Sequence, residues 1–123
     1  MIYNPSFRVQ GALVDLDPVE VAKTLDVTAY GGFLVAQAAV KRFLTQGGGA
    51  ILFTGASASV KGYPLSAPFA MGKFALRGLA QSIARELAPQ NIHVAHFVID
   101  GAIRSDVRQD PADNPDSTLD PDA

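Results

Sequence analysis

No cysteine occurs in the 123 residues, which excludes disulfides and thiolate metal sites and fits a reducing cytoplasm. Charge is sparse: 10 basic and 12 acidic residues leave a net charge of -2 and only 18% charged positions. The basic residues are scattered and are not interleaved with aromatics, so the footprint of a nucleic-acid or anionic-membrane binder is missing. Charges interrupt every apolar run before it reaches transmembrane length. The first residues lack the basic start and long apolar core of a signal peptide. Neither Gly-x-x-x-Gly-x-Gly nor Gly-x-Gly-x-x-Gly is found, so these residues contain no Gly-rich phosphate turn. Together these absences predict a cytoplasmic protein with neither nucleic acid nor membrane as partner. Apolar side chains, in contrast, make up 48% of the chain, enough for one globular core.

Two apolar runs read as strands, residues 50–55 (Ala-Ile-Leu-Phe-Thr-Gly) and 92–99 (Ile-His-Val-Ala-His-Phe-Val-Ile). Both are short, rich in β-branched and aromatic residues, and bounded by Gly, Pro or Asn. Between them the spacing turns helical, from about residue 67 to Leu87, and Ala88-Pro89 ends it. A strand, a long helix and a second apolar strand predict a βαβ unit with parallel strands and a right-handed crossover.

Upstream, Met1-Ile2-Tyr3-Asn4 runs into Pro5-Ser6, where a strand would end. Asp17-Pro18-Val19-Glu20 marks a helix start, with Asp17 as N-cap, Pro18 at the first helical position and Glu20 closing a capping box. That helix is expected to reach Thr45 or Gln46. Gly47-Gly48-Gly49 then reads as a C-cap and turn, because it follows a helix and precedes a strand, the reverse of a phosphate loop. Apolar residues spread over more than one face of both helices, so each needs burial on two sides. Mid-helix Gly31-Gly32 costs about 1 kcal/mol per glycine relative to alanine, which close packing or a kink would offset.

Ser66-Ala67-Pro68-Phe69-Ala70-Met71-Gly72-Lys73, Ala80-Gln81-Ser82-Ile83-Ala84-Arg85-Glu86-Leu87-Ala88-Pro89 and Ile92-His93-Val94 together resemble the catalytic half of the short-chain dehydrogenase/reductase family. The resemblance runs from about Ile2 to Ile103 and implies the fold class: α/β, a partial Rossmann-like, doubly wound parallel sheet of three-layer α/β/α type, with the N-terminal βαβ nucleotide-binding half missing. Residues 1–103 would form this partial domain. Residues 104–123, rich in Asp, Pro, Asn and Ser, would form a mobile polar tail in the place of the family's substrate-covering loop. The strand at Ile2 would be left with a bare edge, which something is expected to cover.

The resemblance further implies hydride transfer between NAD or NADP and a carbonyl or alcohol. In the family a Tyr is general acid/base, a Lys one turn on lowers its pKa and holds the cofactor ribose, a Ser steadies the substrate oxygen, and an Asn maintains a proton relay. Lys73 matches the lysine. Phe69 stands at the Tyr position, Ala56 at the Ser position with Ser57 and Ser59 nearby, and Thr28 at the Asn position. Tyr63 is the nearest alternative phenol, and Tyr30 reads as a packing residue. Asn4 falls in a degraded Asn-Ala-Gly turn, and Gly101, Ala102 and Ile103 fall where the family's backbone passes the nicotinamide. Without the resemblance, Lys73 reads as a surface lysine whose stem covers apolar area. His93 and His96 lie on opposite faces of one strand, so they form no joint metal site, and each reads as a hydrogen-bonded core histidine. The family commonly pairs through the helices matching residues 18–46 and 67–88, implying a homodimer or homotetramer. Two functions stay open: an oxidoreductase acting on a small carbonyl or alcohol, or a non-catalytic module for dimerisation or ligand binding.

Overall fold

The computed structural model describes residues 1–108, 110, 112 and 118–122. Its elements run β1 (Ile2–Tyr3), α1 (Pro18–Leu25), α2 (Gly31–Gln46), β2 (Gly49–Ala56), α3 (Ala67–Leu87) and β3 (Ile92–Ile99). All strands are parallel, in the order β1-β2-β3. Residues 49–56 pair one for one with residues 92–99, Gly49 opposite Ile92 and Ala56 opposite Ile99. The predicted βαβ unit is therefore present, with α3 as its crossover. On its other side β1 meets no further strand among the described residues.

Alternation along β2 sends Ile51 and Phe53 toward the helices, and both are fully buried. They join Tyr3, Ala36, Leu76, Ala80, Leu87 and Ile92 in one core. Because α2 and α3 both contribute to that cluster, they form a single layer on one face of the sheet. On the opposite face Ile2 and Phe97 are exposed, at 71% and 53%. The same absence of cover corrects the expectation for His93, which is exposed and not a core residue.

The single helix expected over residues 18–46 is interrupted. Asp26–Tyr30 forms a π-turn between α1 and α2, a register change that frees a backbone carbonyl. The Tyr3 hydroxyl donates to the Val27 carbonyl at this turn, tying β1 to it. Gly31 and Gly32 follow at once, and close packing explains them: a Cβ on Gly32 would lie 2.7 Å from Leu76 Cδ1. At the start of α1 the Asp17 carboxylate accepts from the Val19 N–H at 2.9 Å. The reciprocal bond expected from Glu20 is not formed among the described residues. At the far end Gly47 adopts φ 87°, and the Gly48 N–H reaches the Phe43 carbonyl at 2.9 Å, the expected glycine cap.

Tyr30 is not buried: it is 56% exposed and stacked on Phe33 at 6.1 Å. Leu34, Val35, Leu44, Met71 and Phe74 are also exposed, so the outer faces of α2 and α3 carry much uncovered apolar area. No helix of the described residues is long and apolar enough to cross a membrane. In the tail, Ile103 bridges Leu119, and Arg104 pairs with Asp110 at 3.3 Å and Asp120 at 3.9 Å. Residues 109, 111, 113–117 and 123 of the expected mobile tail lie outside the described residues.

Candidate active site

A cavity of about 640 Å³ opens at the carboxyl ends of β2 and β3, where open parallel sheets place their ligands. Thr54 to Ala58 form one wall, and Ile99 with residues 101–103 form another. Phe69, Ala70 and Lys73 from the first turns of α3 also line the cavity, as do Asn4, Ser6 and Arg8 from the segment after β1. The sheet register brings these segments together, since pairing Ala56 with Ile99 ends both strands at the same level.

Lys73 is the centre of the site. Only 3% of the residue is exposed, and its Nζ donates to the Thr54 carbonyl at 3.0 Å. The surface-lysine alternative is therefore excluded. Nζ lies 5.7 Å from the Phe69 ring centroid, as expected of positions four apart on one helix face. Burial holds the ammonium below the usual lysine pKa.

That shift has a testable consequence for stability. Between the lowered value and the usual lysine range, the unfolded chain binds more protons at this site than the folded one. Native stability therefore rises with pH across that window. In urea melts from neutral to alkaline pH, the wild type should gain stability relative to Lys73→Met. Parallel curves would show that the ammonium is hydrated in the folded state.

Other expected residues divide. Ser57, Asn4, Gly101, Ala102 and Ile103 line the cavity with Lys73 and Phe69, as does Tyr63. Ser59 does not: it is buried, and its Oγ accepts from the Ala56 N–H at 3.1 Å and meets His96 Nε2 at 3.5 Å. Its role is to shape the loop after β2. Thr28 sits in the π-turn, fully buried, where its Oγ1 accepts from the Phe7 N–H at 3.3 Å. It supports the loop leading to Arg8 and lies outside the cavity wall. Half-buried His96 is hydrogen-bonded as expected, and burial together with Arg77 and Lys73 depresses its pKa.

Ser6 and Arg108 lie in the turn and the tail that the resemblance pointed to, whereas Arg8, which also lines the cavity, had no signal in the sequence. Arg8 places its guanidinium 4.9 Å from the Phe69 ring centroid. It lies in an irregular segment, where periodicity says nothing about direction.

Comparison with known proteins agrees with this geometry. The profile described as Enoyl-(Acyl carrier protein) reductase matches residues 2–120. A 3alpha-hydroxysteroid dehydrogenase of Mediterraneibacter gnavus is 35% identical over 107 residues, covering 87% of this chain and 42% of that protein. A short-chain dehydrogenase from Rhodopseudomonas palustris is similar in structure with TM-score 0.77 at 39% identity, over 79% of this chain and 46% of that one. The structure of 4-hydroxyisoleucine dehydrogenase complexed with NADH gives TM-score 0.80 at 25% identity, over 86% of this chain and 47% of that one. The chain thus spans less than half the length of these relatives. A parallel sheet with its cavity at the strand ends, a buried lysine one helical turn past position 69, and a profile match over nearly the whole chain place it in the short-chain dehydrogenase/reductase family.

Proposed function

We propose that this chain supplies the substrate-side half of a nicotinamide-dependent oxidoreductase site acting on a small carbonyl or alcohol compound. Burial of Lys73 beside the cavity carries this reading. A lysine ammonium has three donors, and among the described residues only one is used, on the Thr54 carbonyl. The remaining donors suit ribose hydroxyls, and the backbone of residues 101–103 with Asn4 offers the walls for a planar ring. NAD or NADP would contribute the hydride-carrying ring.

Ser57 takes the place of the serine that Ala56 lacks, its hydroxyl bonding the substrate oxygen. Phe69 has no proton to give, and Tyr63 is the one phenol lining the cavity among the described residues. Tyr63 is therefore assigned as proton donor, while Thr28 positions the loop leading to Arg8. Residues 104–123 act as the cover of the substrate end. The exposed apolar faces of α2 and α3 serve to pair copies of the chain, as a homodimer or homotetramer.

A second reading is favoured by Phe69 itself: a cleft that binds its ligands and performs no turnover. Titrating the full chain with NADH and NADPH, followed by cofactor fluorescence, tests the first step common to both. At least one cofactor should bind, and Lys73→Met should weaken it about tenfold or more, since hydrogen bonds from a charged donor contribute about 1.5–3 kcal/mol. Failure of both cofactors to bind would remove the oxidoreductase reading. Turnover abolished by Tyr63→Phe supports the catalytic version, and binding with no turnover supports the module.

A further inference from the structure

Among the described residues the cavity is lined by three cationic side chains, Arg8, Lys73 and Arg108, and by no aspartate or glutamate. This is not a bias of composition, because acids outnumber bases in the chain. Nor are carboxylates absent nearby: Arg104 takes Asp110 and Asp120 as partners. Among the described residues Arg8 and Arg108 have no carboxylate partner. Arg8 lies over the Phe69 ring, its guanidinium carbon 4.9 Å from the centroid, a cation–π contact. Lys73 lies by the same ring. Two cations flanking one ring leave a positive potential in a partly desolvated cleft, and an oxyanion would neutralise it.

Resting on the oxidoreductase reading above, we propose that the substrate is an acid, an oxo or hydroxy acid of a few carbons whose carboxylate is held by Arg8 and flanked by Arg108. A guanidinium presents two parallel N–H donors to a carboxylate, a match a lysine cannot make. Position 69 acquires a purpose under this assignment. Its ring lies in contact with Arg8, which holds the guanidinium at the cavity before the ligand arrives. Lys73 remains free for the cofactor. The same oxyanion chemistry is carried by cofactor phosphates, so the test must separate the two sources.

Succinate, a dicarboxylate with no reducible carbonyl, serves as the substrate probe and NADH as the cofactor probe, each titrated calorimetrically into the full chain. Succinate should bind, and Arg8→Met should weaken it about tenfold or more, while NADH affinity changes less than about twofold. Arg8→Lys, with unchanged circular dichroism, should recover part of the loss. The proposal is overturned if Arg8→Met leaves succinate binding unchanged, if succinate does not bind, or if NADH weakens as much as succinate. Succinate binding without NADH binding would uphold the carboxylate site and remove the nicotinamide reading. NADH binding without succinate binding would do the reverse.

Discussion

Phe69→Tyr is expected to raise turnover above the level Tyr63 supports, by at most the about 10²–10⁴-fold that a positioned general acid or base contributes. Its effect is also readable without a substrate. The new phenol would sit where Arg8 lies 4.9 Å and Lys73 5.7 Å from the ring centroid. Both cations favour the phenolate, and position 69 is only half-buried, so charge outweighs desolvation there. The introduced tyrosine should therefore ionise below the usual tyrosine range. Tyr3 behaves oppositely, because burial raises its pKa. Subtracting the wild-type tyrosinate titration from that of the variant isolates the new group from the three native tyrosines. An added phenol titrating at or above the ordinary value would show that the cations do not act on this position. Adding Ala56→Ser to the variant should raise turnover further, by restoring the hydroxyl at the end of β2.

The fold was legible where packing and chain chemistry agree. The β-branched run ending in Ile99 and the apolar run after Gly49 could only be strands, and Ala88-Pro89 ended α3 where a helix cannot continue. Gly31-Gly32 signalled a close approach or a kink, and the structure supplies the approach in Tyr3 and Leu76. The π-turn itself was not legible, because nothing in residues 26–30 breaks a helix outright and the Tyr3 hydroxyl that meets the Val27 carbonyl comes from a distant strand. His93 was misjudged for a related reason: strand alternation gives two faces but not which face is covered. At the site, the spacing of Phe69 and Lys73 fixed a shared helix face. Burial of that face depends on where the Thr54 carbonyl and the loop after β2 fall. Arg8 lay beyond reach altogether, since its place is set by Phe69, 61 positions later in the chain. A hydroxyl at Ser59 looked available for chemistry until the loop showed it holding the Ala56 amide.

Phe53→Ala is expected to cost about 3–5 kcal/mol, the range for deleting a buried aromatic from a core that relaxes only in part. Phe53 is fully buried in the central strand, opposite Tyr3 in the parallel register and edge-on to its ring at 6.3 Å. A domain of this size holds only about 5–15 kcal/mol in total, so the loss is a large share. Urea unfolding should show a lower midpoint at unchanged slope, and Phe53→Leu should fall between the variant and wild type. Damage should extend to the site, because the next residue offers the carbonyl that holds Lys73 Nζ. If β2 shifts as the cavity at Phe53 collapses, that carbonyl moves, and cofactor affinity should fall along with stability even though Phe53 does not line the cleft. A cost under about 1 kcal/mol would contradict the sheet packing, because no compact alternative leaves so large a buried ring without consequence. Loss of stability with cofactor affinity intact would instead show that Lys73 is held by the geometry of α3 alone. The strand's apolar face and the lysine's hydrogen bond are thus two sides of the same backbone, and the core residue acts on the site through the single peptide between them.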